Sequence, residues 1–243
     1  AANFTDCDLV TFWKRRNHLT DLVVDMIPPD FSYIQKILLP LFYTIQMSVT
    51  GTVLGIFFAL VLSPFGAANL GFPAVIRRIL RIVIQILRSF PALILALTAT
   101  FLFGLGTFAG TFAITLYTFA IMTKLTYEDA SAADVKAYQA LRAMGVSKYV
   151  AYIHGILPEI IPGFLTNALY LLETNVRHSS ILGYVGAGGI GLLLNEKISW
   201  LEYDKVGTIL LMLFLTVCVI EYFSRYLEYQ ALCIQIHYRN RHW

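Results

Sequence analysis

Glu173 and Arg177 stand four residues apart in an apolar stretch. On a helix that spacing puts a carboxylate and a guanidinium on one face, where they can pair. Ionised groups at membrane depth face a cavity or each other. One reading is therefore a polar patch near a solute path, with Arg177 helping to attract an anion. The other is a structural ion pair near the outer interface. Asn167 and Asn175 could join either arrangement. Further along, Gly186-x-Gly188-x-x-Gly191 has the glycine spacing of a dinucleotide-binding turn. That fingerprint requires a preceding strand inside a βαβ unit, and here an apolar helix precedes it. Glycines beside a broken membrane segment instead let the chain bend or pack closely. No G-x-x-x-x-G-K-[ST] loop and no H-E-x-x-H occurs, and His18, His154, His178, His237 and His242 are scattered. Ser179-Ser180 follows His178 without an orienting acid at a useful spacing. Cys7, Cys218 and Cys233 are too far apart to suggest a metal or disulfide pattern. The expectation is a chain that is not an enzyme, carries no metal or cofactor, and leaves any ATP chemistry to another subunit.

The elements holding these residues are membrane helices. Of the 243 residues, 58% are hydrophobic and 14% charged, against roughly a quarter charged in soluble domains. No charge lies between Lys36 and Arg77, or between Arg88 and Lys124. A bilayer crossing takes about 20 apolar residues. The fold class expected is an all-α integral membrane protein with about five transmembrane helices. A first span is expected over roughly Leu38 to Leu62, with Gly51 and Gly55 as a small-xxx-small packing pattern. An amphipathic helix over Ala74–Leu87 runs into Pro91–Phe103 as the second span. The glycine-rich turn at 104–110 separates it from a third span near Thr111–Met122. A fourth is expected from Glu159 to Leu182 and a fifth from Val206 to Tyr222. Pro28-Pro29-Asp30 breaks any helix ahead of the first span.

Positive-inside counting places the polar stretch 124–158, the Arg77/Arg78 connection and a tail at 231–243 in the cytoplasm. The turn at 104–110 and residues 183–204 then lie outside. Residues 1–36 also fall outside despite Lys14, Arg15 and Arg16; an additional span upstream would help explain that placement. The small net charge of +3 and the absence of a basic stripe give no sign of nucleic-acid binding.

Within the polar stretch stands Gln139-Ala140-Leu141-Arg142-Ala143-Met144-Gly145, followed by Gly155-Ile156-Leu157-Pro158. This resembles the cytoplasmic signature of binding-protein-dependent ABC importer permeases, which reads E-A-A, three residues, G, nine residues, I, one residue, L-P. Ala140, Gly145, Leu157 and Pro158 fit in register, while Gln139, Leu141 and Gly155 depart from it. Glycine ends a short helix sharply, and proline starts the next one, where its missing N–H costs nothing. Further stretches resemble the phosphonate-type permeases of that family: Arg88-Ser-Phe-Pro91, Asn175-Val-Arg177, and the glycine-rich run from Leu182 to Gly191. So do Gly104-Leu-Gly106 with Phe108-Ala-Gly110, and Pro28-Pro-Asp-Phe31. The likeness covers about Pro28 to Arg225.

That resemblance implies the ABC importer permease fold in a bacterial inner membrane. It implies a transport subunit that works as a homodimer, with two ATP-binding cassette subunits below and an extracytoplasmic solute-binding protein above. Gln139, Ala140, Leu141, Gly145, Leu157 and Pro158 would then couple to the ATPase. Arg88, Glu173, Asn175, Arg177, Gly186, Gly188 and Gly189 are candidates for the path. The solute expected is phosphonate, phosphate or a related small oxyanion. Import of methionine or another small solute, a polytopic membrane enzyme using Glu173 and His178, and a membrane scaffold remain the alternatives.

Overall fold

In the computed structural model, residues 20–21 and 24–239 are described, with side chains as far as Tyr229 excepting Glu228. Lys14, Arg15 and Arg16 lie outside the described residues. Among these residues the regular structure is all helical. The chain turns at Pro28-Pro29, and Asp30 caps a single 3-10 turn, its carboxylate accepting from the Ser32 amide at 3.0 Å. The helices that follow are α1 (Ile34–Gly66), α2 (Ala74–Ser89), α3 (Ala92–Phe103), α4 (Thr107–Ala132) and α5 (Lys136–Ala143). After them come α6 (Lys148–Gly155), α7 (Leu157–Leu182), α8 (Ile190–Ser199) and α9 (Tyr203–Arg239).

Among the described residues three helices, α1, α4 and α9, are long and apolar enough to cross a membrane, and two bent pairs raise the number to five if each is one span. α1 and α4 pack closely at the glycines foreseen for that role. A Cβ on Gly51 would come within 2.8 Å of Ile114, and one on Gly55 within 2.7 Å of Thr118. Small residues matter here because lipid gives apolar side chains no reason to leave it, so close backbone approach supplies the attraction. Ala92, Leu95, Ala96 and Ala99 of α3 continue this seam against Ala109, Ala113 and Ile114 of α4.

Four boundaries depart from expectation. The second span is not continuous: α2 and α3 meet at 94°. Pro91 cannot donate a helical hydrogen bond, and Phe90 before it is held extended at φ −91°, ψ 126°. The third span is longer than Thr111–Met122, since α4 continues to Ala132. Lys124, Glu128 and Asp129 therefore ride on a helix rather than a connection, and Lys124 pairs with Glu128 one turn on at 3.2 Å. The fourth span is preceded by α6, at 68° to it. The helix of the fifth span, α9, starts at Tyr203 and continues to Arg239, so 231–239 is helical.

The two ends of the bundle differ in content. At one end, Tyr138, Tyr152, Ile156 and Ile160 pack with Leu70 and Ala130, joining α5, α6, the start of α7, the end of α4 and the 67–73 loop. At the other, Tyr33, Ile37 and Leu41 pack with Ile190, Leu194, Val206 and Ile209. The first end carries the stretch that positive-inside counting puts in the cytoplasm.

Candidate coupling face and solute path

The short helix α5 is built to present one side and bury the other. Val135 begins it, and Asp134 accepts from the Lys136 amide at 2.9 Å. Tyr138 turns inward, and its hydroxyl donates to the Leu70 carbonyl at 2.7 Å. Leu141 packs into the same cluster. The helix ends in a Schellman pattern: the Val146 amide donates to the Leu141 carbonyl at 3.2 Å and the Gly145 amide to the Arg142 carbonyl at 3.1 Å. That geometry requires a left-handed residue, and Gly145 supplies it at φ +87°. The outward side shows Gln139, Ala140, Ala143, Met144 and Gly145, all exposed. Met144 is 71% exposed, and nothing lies within 4 Å of a Cβ placed on Gly145.

The departure at Gly155 has a physical cause. A Cβ there would stand 2.8 Å from the Tyr138 amide nitrogen and 2.9 Å from its Cα. The end of α6 meets the α5 backbone so closely that isoleucine, which the signature carries, would not fit. Leu157 joins the cluster below, and Pro158 sits in the first turn of α7, where its lacking N–H is not needed. Leu157 and Pro158 thus set the start of α7, whereas Gln139, Ala140 and Gly145 belong to the outward face.

On α7 the foreseen ion pair is present: Arg177 Nη2 stands 2.6 Å from Glu173 Oε1. The Arg177 side chain is 54% exposed and that of Glu173 19%. Tyr170, Arg177 and Ile181 lie at helical repeats on this face, and all are exposed. Asn175 lies elsewhere. Residues two apart on a helix point in different directions, and Asn175 is fully buried at 0% exposure. Its amide donates to Thr52 Oγ1 of α1 at 2.8 Å and to Thr118 Oγ1 of α4 at 2.7 Å. Ser48 and Ser179 add a hydroxyl contact at 2.8 Å between α1 and α7. Within this chain Asn175 ties three helices together, on a different side of α7 from the exposed Arg177.

The histidine that sequence reasoning set aside belongs beside that face. His178 packs edge-on against Tyr117 of α4, with ring centroids 5.4 Å apart, and its buried Nδ1 has no hydrogen-bond partner among the described residues. Tyr117 lies within electrostatic reach of Tyr170 and of Arg88. Arg88 is exposed in the last turn of α2, at the bend into α3. Arg177 precedes His178 on α7, so the guanidinium and the Tyr117–His178 pair lie side by side along one helix. No spacing rule links Tyr117 to His178, since they meet only through helix packing.

The glycine-rich run lies at the end of the bundle away from α5. Gly186, Gly188 and Gly189 have φ of +82°, +80° and +71°. The Gly106 amide donates to the Gly186 carbonyl at 2.9 Å, and the Ile190 amide to Thr44 Oγ1 at 2.7 Å. A Cβ on Gly188 would meet Thr107 at 3.0 Å, and one on Gly189 would meet Thr44 Oγ1 at 2.5 Å. Gly186 and Gly188 are buried. These glycines seat the 183–191 turn against the starts of α1 and α4.

Comparison with known proteins places this geometry. The family described as "Binding-protein-dependent transport system inner membrane component" matches residues 51–229. The chain is 31% identical to the phosphite transport system permease protein PtxC of Stutzerimonas stutzeri, over 89% of this chain and 79% of that protein. It is 32% identical to the phosphate-import permease protein PhnE of Mycolicibacterium smegmatis, over 84% of this chain and 38% of that one. Among solved structures, the inward-facing MetNI methionine ABC transporter aligns with a TM-score of 0.71 at 20% identity, covering 83% of this chain and 99% of the matched chain.

Proposed function

We propose a solute and an assembly for this chain, which belongs to the inner-membrane permeases of binding-protein-dependent ABC importers. It is a multi-pass inner-membrane transport subunit, and its work depends on separate ATPase and solute-binding partners. The proposed solute is phosphonate, phosphate or a related small oxyanion. Two copies of the chain would enclose the path between them, with two ATPase subunits at the α5 faces and the binding protein at the opposite end. In this reading residues 1–36 lie outside, 124–158 face the cytoplasm, and the chain end beyond residue 230 is cytoplasmic.

The observation that carries the oxyanion reading is Arg177, exposed and answered by one carboxylate on its own helix. A guanidinium presents paired N–H donors that match an oxyanion. Glu173 sets the orientation of that guanidinium and tempers its hold, since a solute must leave as readily as it enters. Arg88, Tyr117 and Tyr170 supply further donors nearby. Of the coupling residues, Gln139, Ala140 and Gly145 would seat in the ATPase, with Leu141, Leu157 and Pro158 passing its motion through the cluster into α7. Alternating access then arises as ATP closes the ATPase pair and the α5 faces move with it.

Uptake into liposomes holding the permease, its ATPase and its binding protein tests this, with labelled phosphonate, phosphate and methionine compared with and without ATP. ATP-dependent accumulation of an oxyanion is expected. Accumulation of methionine alone would keep the importer and discard the oxyanion.

A further inference from the structure

We propose that α2 is an anionic-lipid site, its arginines Arg77 and Arg78 holding phosphate headgroups of the cytoplasmic leaflet. Solute transport does not require this site, and its test is separate from the test of the solute. α2 follows the 67–73 loop, which the coupling region grips from below: Tyr138 donates to the Leu70 carbonyl and Lys148 to the Gly71 carbonyl. The first turn of α2 therefore lies at the cytoplasmic boundary. The helix then turns through 94° into α3, so the pair is not one straight span.

The faces of α2 divide cleanly. Ile84 is buried against the bundle. Val75, Ile79, Ile82 and Ile86 lie together on another side and are exposed, as a surface meeting acyl chains should be. Arg77, Arg78, Arg81, Gln85 and Arg88 recur at helical spacing between those two sides. The helix carries four arginines and no acidic residue. Two of the arginines differ in kind. Arg81 is used internally: its Nε donates to the Gly66 carbonyl at 3.0 Å and its guanidinium lies 5.1 Å from the Tyr127 ring centre. Arg78 is exposed and has no ion pair among the described residues, and Arg77 makes one long contact to the Ala68 carbonyl at 3.3 Å. Glu128, beside Tyr127, is occupied by Lys124. Two cations at headgroup level, next to an acyl-facing surface and without a protein counter-charge, suit a lipid phosphate. A free oxyanion has no acyl chains to match that surface.

The test uses the permease–ATPase complex reconstituted in equal phosphatidylcholine and phosphatidylglycerol, extracted, and weighed with its retained lipids by native mass spectrometry. Phosphatidylglycerol should be enriched on the wild type, and added salt should reduce that enrichment. At roughly 1 kcal/mol per surface arginine, each loss weakens retention about fivefold. Arg77→Gln with Arg78→Gln should therefore cost about 25-fold, while the double lysine variant keeps the enrichment. Equal retention by the glutamine variant would overturn the proposal. So would salt-insensitive retention on the wild type, which needs no variant to fold, or release of the lipid by inorganic phosphate where chloride at matched ionic strength does nothing.

Discussion

The two ends of the bundle handle the same problem, a sharp break between helices, in opposite ways. At the end away from α5 the break at 183–191 is filled by its own chain. A Cβ on Gly191 would stand 2.0 Å from the Ser180 carbonyl oxygen, and one on Gly183 would stand 2.4 Å from Gly191. At the end that carries α5 the break at Gly145 is open, with no atom of the described residues within 4 Å of the corresponding position. Both are glycines at helix ends. One is glycine because atoms exclude a side chain, the other because the backbone is left-handed. A break filled from within locks two helices together. A break left open is a surface that another subunit can cover.

The largest expected effect tests the filled end. Gly191→Ala must push α8 off α7, and overpacking of this kind costs about 3 kcal/mol. The variant should lose most of its folded, monodisperse population in detergent on mild heating, followed by fluorescence-detected size exclusion. Wild-type behaviour would mean that the 183–191 turn is looser than its contacts imply.

The open end should respond in function rather than in folding. Gly145→Ala and Gly145→Arg both pay about 1 kcal/mol for a left-handed residue with a Cβ. Only arginine adds bulk to the outward face. ATP-driven uptake should survive the first and fall at least tenfold in the second, while membrane insertion persists in both. Equal uptake by the two variants would remove α5 from the coupling role.

These glycines show how much was legible beforehand. Gly145 could be read because a Schellman end depends on residues within six positions, all local in sequence. The small pair Gly51 and Gly55 could be read because its spacing is itself the packing rule. The right angle at Pro91 is not legible in the sequence, since proline in a membrane segment permits either a continuous kinked span or a right angle, and the packing of α3 on α4 decides. The length of α4 is hidden for a related reason. Charges at Lys124, Glu128 and Asp129 read as a loop, yet a helix leaving the membrane can carry them as one-turn pairs. The tie between Asn175, Thr52 and Thr118 joins residues 57 and 123 positions apart, beyond any local pattern.

The contrast also runs along α7, between Arg177 facing out and Asn175 facing in. Arg177→Gln removes charge-assisted hydrogen bonds worth about 1.5–3 kcal/mol. It should slow oxyanion uptake tenfold or more with little change in melting temperature. Asn175→Ala should do the reverse. Interhelical hydrogen bonds in membranes average about 0.6 kcal/mol each, so two should cost about 1 kcal/mol of stability while uptake stays within a few-fold. If Asn175→Ala were instead to abolish uptake at unchanged stability, the polar tie would belong to the path after all.

The smallest effect concerns the charges around Tyr33, at the end away from α5. Lys36, Lys197 and Lys205 each stand 5.6 Å from the centre of the Tyr33 ring. Glu202 bridges two of them, at 2.9 Å from Lys197 and 2.7 Å from Lys205. Hydrogen bonds from Lys205 and then Lys197 hold its carboxyl below the ordinary value of 4.5. A carboxylate with a depressed folded pKa stabilises the fold at neutral pH. That contribution is present above 4.5 and disappears as pH falls through the depressed value. Wild type should therefore show slightly steeper acid loss of melting temperature below pH 4.5 than Glu202→Gln, which has no such proton to bind. Gly145 variants should leave this acid limb unchanged, because their site is at the other end and carries no part of the clamp. Parallel acid limbs in wild type and Glu202→Gln would show that Tyr33 and its lysines hold without Glu202.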